Sequence, residues 1–270
     1  MTSVETNAAC GWTIGEIAAR LGITSAVFQK ARFGTQEVAR IAQAGIRYLE
    51  LTVAPLDLSV TPRSVDHRDQ KQMSEVIAAC ETHGVQIAVM HGPVLAYDAK
   101  DQAERKAAVK EGLAVARVAV ELGAHIMVNH FRINAYTRRS IHELLDQTAS
   151  LPVTLGAENL EEDEGSIEKV LGLVDEFDSD RLKMVLDIGH ELDDDGKNPF
   201  TEKDRARSAV TQCEGRIVHV HLHETLAHAY KKRPGEQPPL RHLDHQPPLH
   251  KDGIIEWGEV FMGLNDINYA

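Results

Sequence analysis

Short apolar segments rich in β-branched residues alternate along the chain with longer segments whose apolar residues recur at helical spacing. The short segments predict strands at 25–28, 47–53, 86–91, 125–130, 153–158, 183–187 and 216–221. The longer ones predict helices at 35–44, 66–83, 101–122, 138–148, 166–176, 201–213 and 256–264. Because parallel strands need crossover connections, this alternation predicts an α/β protein with a parallel sheet.

Local signals support the same reading. Thr35 is predicted to cap the start of its helix, and Gly45, Gly84 and Gly123 each separate a helix from the apolar segment that follows. Residues 13–24 resemble the start of a helix-turn-helix, but no basic second helix follows, so we interpret them as an amphipathic helix leading into strand one.

Polar residues stand at the carboxyl end of nearly every predicted strand, where (β/α)8 barrels build their sites. No glycine-rich phosphate motif follows any strand, so no nucleotide cofactor is expected. We therefore predict one TIM-barrel domain over 1–270, with an N-terminal helical extension at 1–23 and a long loop at 225–252. The strand-end residues are Glu50, His91, His130, Glu158, Asp187 and His221.

Composition excludes several classes of protein. The net charge of −12 disfavours a surface that binds nucleic acid through its phosphates. No segment is apolar for long enough to span a membrane, and the N-terminus lacks the pattern of a signal peptide. Three widely spaced cysteines suit reduced, buried thiols, so we expect a cytoplasmic protein.

The candidate chemistry lies at the ends of strands five, six and seven. Glu158, Asp187 and His221 would converge there as two carboxylates and an imidazole, a ligand set that suits Mn²⁺, Zn²⁺, Co²⁺ or Fe²⁺ better than Ca²⁺. Each residue also has a structural explanation. Glu158 could form a salt bridge and Asp187 could cap a helix. Among the histidines, His219 could pack in the barrel interior, and His223 could contact the metal ligands without binding the metal itself. His91 and His130 could form hydrogen bonds to the backbone of a loop.

Several segments together resemble one known family, the xylose isomerase-like TIM barrels, which include sugar isomerases and epimerases and endonuclease IV-type enzymes. The segments are Met90–Pro93, Glu121–His130, Glu158-Asn159, Asp187–His190, His219–Glu224 and Gly253–Trp257. The resemblance implies one divalent cation, with Mn²⁺ first and Zn²⁺, Co²⁺ or Mg²⁺ as alternatives. Its ligands would be Glu158, Asp187 and His221.

The resemblance also implies an activity, the interconversion of sugars or sugar phosphates through an enediolate. Glu158 and His190 would be the catalytic residues, and the substrate would contact His91, His130, Glu224 and His245. Two alternatives stay open. One is a zinc phosphodiesterase acting on abasic DNA, for which Asp244-His245 is close to the branch's Asp-x-His motif. The other is a barrel without catalytic activity.

The end of the chain bears on the last alternative. After the predicted helix at 256–264, strand eight would begin at 267–270, where the sequence stops. We therefore expect a barrel truncated at the start of strand eight, without the glutamate that the family carries at the end of that strand. An exposed parallel edge would favour a homo-oligomer.

Overall fold

The computed structural model describes residues 14–28, 32–53, 64–160, 165–190, 198–226 and 245–269. The chain divides into two compact units. The amino-side unit comprises Ile17–Gly156 and Asp180–Leu182, and the carboxyl-side unit comprises Ala157–Ser179, Lys183–Ala270 and Met1–Glu16. Within the described ranges, none of the helices combines the length and the apolarity needed to cross a membrane.

Strands and helices alternate as predicted. The strands are β1 Gly22–Thr24, β2 Tyr48–Thr52, β3 Gln86–His91, β4 Ile126–Asn129, β5 Thr154–Glu158, β6 Leu182–Asp187 and β7 Ile217–His221. The helices are α1 Ile14–Arg20, α2 Thr35–Gln43, α3 Gln70–His83, α4 Gln102–Glu121, α5 Ala135–Gln147, α6 Ile167–Phe177, α7 Lys203–Thr211 and α8 Trp257–Asp266.

Three local predictions are wrong. Residues Ser25–Val27 form a 3₁₀ turn capped by the Thr24 hydroxyl, and the strand lies just before them. Gly34 caps α2, because the Glu37 carboxylate accepts the hydrogen bond from its backbone N–H. The third wrong prediction is the start of strand eight at residue 267. The backbone N–H groups there donate to carbonyls of the last turn of α8, with the pairs Ile267–Gly263, Asn268–Asn265 and Tyr269–Leu264. Residues 267–269 belong to no strand.

Side-chain caps define the starts of three helices, and a glycine ends one of them. The side chains of Asp69, Asp101 and Asn134 accept backbone N–H groups in the first turns of α3, α4 and α5. Gly84 ends α3 in the left-handed conformation at φ +65°, which glycine adopts without strain.

In the amino-side unit, β1 to β4 pair in chain order and all ladders are parallel. Side chains from the strands and from the inner faces of the helices are buried, among them Leu49, Leu51, Met90, Met127 and Leu144. This packing brings the last residues of successive strands to one edge of the sheet.

In the carboxyl-side unit, β6 pairs in parallel with β7, and the Asn159 N–H just after β5 bonds to the Val185 carbonyl of β6. Helices α7 and α8 are joined by a bidentate ion pair between Arg207 and Asp266. The buried thiol of Cys213 confirms the predicted role of that cysteine, and Cys80 in the amino-side unit is buried too. Cys10 lies outside the described residues.

Candidate metal centre

Three predicted ligands stand at the last positions of three successive strands. Glu158 ends β5, Asp187 ends β6 and His221 ends β7. The Asn159 side chain holds the first two strands in place, since its amide donates to the Asp187 carbonyl at 2.9 Å and its oxygen accepts from the Asp187 N–H at 2.7 Å. The two carboxylates therefore stand on a fixed backbone.

The three side chains converge. His221 Nδ1 lies 2.9 Å from Glu158 Oε1 and 3.4 Å from Asp187 Oδ2. One ligating atom from each residue falls within 4.8 Å of the others. Glu158 is 1% exposed and Asp187 is 2% exposed, so two carboxylates are buried at the same place. Two buried carboxylates beside an imidazole fit a divalent cation, because the cation offsets negative charge that is costly to bury.

The electrostatics of Asp187 favour its charged form. Burial by itself raises its pKa. Electrostatic attraction to His190 and His223, together with hydrogen bonds from His221 and His223, nevertheless holds that pKa well below its usual range. Asp187 is therefore a carboxylate at neutral pH, the form that a metal ligand requires. Its Oδ1 also accepts the N–H groups of Gly189 and His190, so the predicted capping role and the ligand role coexist.

His190 lies in the loop after β6, three residues beyond Asp187, and faces both carboxylates. Its Nδ1 lies 3.6 Å from Glu158 Oε1 and 3.4 Å from Asp187 Oδ2, and its side chain is 15% exposed. It is therefore next to the predicted ligands and still accessible to a small molecule.

A second group of histidines adjoins this centre. His190 Nε2 lies 3.2 Å from His245 Nε2, and the His245 ring stacks on the His223 ring at 4.3 Å between centroids. Ligating atoms of these three residues also fall within 4.8 Å of one another. Asp244 and the basic residues 231–233 of the long loop lie outside the described residues.

Glu224, predicted to contact substrate, is 1% exposed and surrounded by donors. Its Oε1 accepts the N–H groups of Thr225, Ile254 and Ile255, and its Oε2 accepts the indole N–H of Trp257 at 2.6 Å. A Cβ on Gly253 would lie 2.1 Å from the Glu224 carboxyl carbon, so glycine is needed for the close approach. Glu224 thus fastens the segment before α8 to the end of β7.

His91 and His130 belong to the amino-side unit. His91 ends β3 and His130 directly follows β4, and their rings meet edge to face, with 4.9 Å between centroids. His91 Nδ1 also contacts the Gly92 carbonyl at 3.2 Å. The structure therefore places these two residues, both predicted to contact substrate, next to each other.

Sequence reasoning assigned no role to three residues that shape the carboxyl-side centre. Asn159 holds β5 to β6, Asn198 donates to the Ile188 carbonyl, and Trp257 donates to Glu224. Asn159 carried a signal because it directly follows a predicted ligand, and Trp257 because it ends the segment Gly253–Trp257 on which the family resemblance partly rests. The partners of Asn198 and Trp257 lie 10 and 33 residues away in the chain.

Comparison with known proteins identifies the family. The family model described as xylose isomerase-like TIM barrel matches residues 38–270, so the chain belongs to this family, and the predicted fold is confirmed. Searching curated proteins gives no match.

Solved structures share the fold at low sequence identity. A D-tagatose 3-epimerase-like protein is 21% identical with a TM-score of 0.66, covering 92% of this chain and 86% of that chain. D-psicose 3-epimerase from Clostridium cellulolyticum H10 is 18% identical with a TM-score of 0.62, covering 92% and 81%. A 3-keto-D-glucoside 4-epimerase from E. coli is 15% identical with a TM-score of 0.63, covering 92% and 88%.

Proposed function

We propose that this member of the xylose isomerase-like TIM barrel family is a divalent-metal-dependent isomerase or epimerase of a sugar or sugar phosphate. One cation would be held by Glu158, Asp187 and His221. The observation that carries the proposal is the burial of two carboxylates against one imidazole at the ends of β5, β6 and β7. The similarity to sugar epimerase structures supports the substrate class.

The mixed oxygen and nitrogen ligands suit Mn²⁺ best in this proposal, with Zn²⁺, Co²⁺ and Mg²⁺ as alternatives. His221 Nδ1 and Glu158 Oε1 are 2.9 Å apart, so they share a proton without a cation. Binding of a cation to these two atoms would displace that proton, and we therefore expect affinity to fall as the pH is lowered.

The cation would supply Lewis acidity, polarising a substrate carbonyl and making the neighbouring C–H more acidic. Glu158 would take the proton from that carbon, and the electron pair of the broken C–H bond would move into the enediolate. If Glu158 returns its proton to the adjacent carbon, while one proton moves between the two enediolate oxygens, the isomer forms. If water protonates the opposite face of the same carbon and Glu158 then releases its proton to solvent, the epimer forms. The reaction is a redistribution of protons, so no oxidant or reductant is needed.

The other predicted residues would bind and orient the sugar. We propose that His190, which faces both carboxylates, donates to a substrate oxygen, and that His91, His130 and His245 contact sugar hydroxyls. For Glu224 we propose an anchoring role instead, since both its oxygens already accept hydrogen bonds from protein donors. We further propose that the protein acts in the cytoplasm, as a monomer or a homo-oligomer, on a small molecule and not on nucleic acid.

The test is proton exchange. The purified protein is stripped of metal, reloaded with Mn²⁺ and incubated in D₂O with a panel of ketoses and ketose phosphates. We expect one substrate to lose the proton signal of the carbon next to its carbonyl and to form its epimer or isomer, and a chelator to stop both processes. If the Mn²⁺-loaded protein exchanges no C–H proton across the panel, the barrel has no such activity and the proposal fails.

A second function is favoured by one observation, the cluster of His190, His223 and His245 beside the first centre. If these residues bind further zinc ions, the protein would resemble the phosphodiesterases of the family that act on abasic DNA. Metal analysis separates the two functions: one bound ion per chain supports the isomerase, and three tightly bound zinc ions together with cleavage of an abasic duplex would replace it.

A further inference from the structure

We infer that His223 is a positioning residue for Asp187, fixed in one tautomer by the backbone of His245, so that Asp187 presents only its Oδ2 to a cation. The inference rests on the proposed metal centre and adds to it a residue that contacts neither the cation nor the substrate. It also assigns separate roles to the two oxygens of Asp187.

The hydrogen bonds of His223 determine its tautomer. Its Nδ1 accepts the backbone N–H of His245 at 3.1 Å, so Nδ1 carries no proton. The ring proton is therefore on Nε2, which lies 2.8 Å from Asp187 Oδ1 and donates to it. A doubly protonated ring could not accept the His245 N–H, so the ring is neutral in this arrangement.

This donor completes the set around Asp187 Oδ1. The same oxygen accepts the N–H of Gly189 at 2.8 Å and that of His190 at 2.9 Å. With three donors its lone pairs are occupied. Oδ2 faces the other way, toward Nδ1 of His221 and Nδ1 of His190, both at 3.4 Å. Asp187 is thereby arranged to bind a cation through one oxygen.

Gly189 leaves the space that the His223 ring occupies. A Cβ on Gly189 would lie 1.8 Å from His223 Cε1, so the imidazole occupies the space beside a glycine. The His245 ring stacks on His223, with an angle of 10° between the planes. The His223 side chain is only 11% exposed. The ring is confined by the Gly189 backbone and by the stacked His245 ring, as a residue that orients a ligand requires.

The same contacts separate His223 from the histidines that bind substrate or metal directly. Both its nitrogens already have protein partners within 3.1 Å. To bind an ion through Nε2, the ring would have to give up its bond to Asp187. We therefore expect His223 to act on the cation only through Asp187.

Two substitutions of His223 test its two hydrogen bonds separately. In His223→Gln the side-chain amide nitrogen takes the place of Nε2 and still donates to Asp187. In His223→Asn the shorter side chain still accepts the His245 N–H but does not reach Asp187. Dissociation constants for Mn²⁺ are measured for both variants and the wild type by competition with a chelating dye. Circular dichroism and thermal unfolding of the metal-free proteins check that each variant folds.

We expect Asn to weaken Mn²⁺ binding by roughly 10- to 100-fold and Gln to stay within about threefold of the wild type. Equal effects of the two substitutions, or no effect of either, would overturn the inference, because then the bond to Asp187 would not matter for the cation.

A second measurement does not depend on metal. Long-range ¹H–¹⁵N correlation spectra of the metal-free wild type report which ring nitrogen of His223 carries the proton. We expect the proton on Nε2, and finding it on Nδ1 would overturn the inference. If the wild type binds no Mn²⁺, the proposed function fails, and the spectrum alone then decides whether His223 holds Asp187 as described.

Discussion

Two glutamates in the carboxyl-side unit, Glu158 and Glu224, are equally buried, each 1% exposed, yet their surroundings differ in kind. Glu224 is surrounded by three backbone N–H groups and one indole N–H, which donate hydrogen bonds and do nothing else. Glu158 faces His221 and His190, whose nitrogens can donate a proton, accept one or bind a metal. Burial alone therefore does not identify a catalytic carboxylate; the chemistry of its neighbours does.

The largest expected effect is that of Glu158→Gln on activity. The amide cannot accept the substrate proton and is a poor ligand, so we expect the exchange rate to fall by about 10³-fold or more, equivalent to about 4 kcal/mol of activation free energy. The melting temperature should change little, since Gln keeps an oxygen for His221. Proton exchange by NMR and calorimetry measure the two effects. Exposed Glu214→Gln is the matched control. Retained activity would remove Glu158 from the mechanism.

Glu224→Gln should have the opposite profile. Its amide group would face backbone N–H donors where a carboxylate oxygen now accepts, so we expect the free energy of unfolding to fall by about 2–3 kcal/mol. Urea unfolding of the metal-free protein measures this loss, again against Glu214→Gln. If stability were unchanged and only the KM for the sugar rose, Glu224 would be a substrate ligand and the contrast with Glu158 would disappear.

Trp257→Phe tests one of the hydrogen bonds that hold the Glu224 carboxylate. The change removes the indole N–H from Glu224 Oε2 and should cost about 1–2 kcal/mol of unfolding free energy. A double-mutant cycle with Glu224→Gln isolates the bond from the loss of ring volume. Strictly additive effects of the two substitutions would show that Trp257 contributes packing and not a hydrogen bond.

A partly buried glutamate beside a buried histidine extends the comparison, and it gives the smallest expected effect. In the amino-side unit Glu111 Oε1 lies 3.4 Å from His67 Nε2, and within the described residues neither His67 nitrogen makes a hydrogen bond. Burial lowers the pKa of His67 below its usual 6.5, although Glu111 opposes the shift. This pair has one imidazole and one carboxylate, and none of the groups suited to a metal among the described residues includes it.

The sign of the pH effect follows from that lowered pKa. Below about pH 6.5 the unfolded chain binds a proton before the folded protein does, so stability is fully present above this pH and falls as the pH decreases toward the folded-state pKa. We expect a loss of about 1 kcal/mol or less between pH 6.5 and 5, and His67→Gln should remove it. The measurement is urea unfolding across that range. An unchanged pH dependence in the variant would assign the acid loss to other groups.

The sequence predicts most of the fold because its signals are local. β3 has the predicted bounds, Gln86–His91, and the other strands from β2 to β7 end within one residue of prediction. The errors arise where a tertiary or turn contact competes with the pattern. Ser25 lies in an apolar segment, but its hydroxyl accepts the Thr52 N–H of the neighbouring chain segment, and a 3₁₀ turn replaces the strand.

For the site, the sequence by itself determined which residues stand at the strand ends, because side-chain direction and strand length are local properties of the backbone. Glu158, Asp187 and His221 follow from this alone. Only the tertiary structure decided what each buried group contacts. His223 meets Asp187 across 36 residues, and Glu224 meets Trp257 across 33. Such pairings depend on chain packing, and they separate a carboxylate arranged to bind a cation from one that holds the fold together.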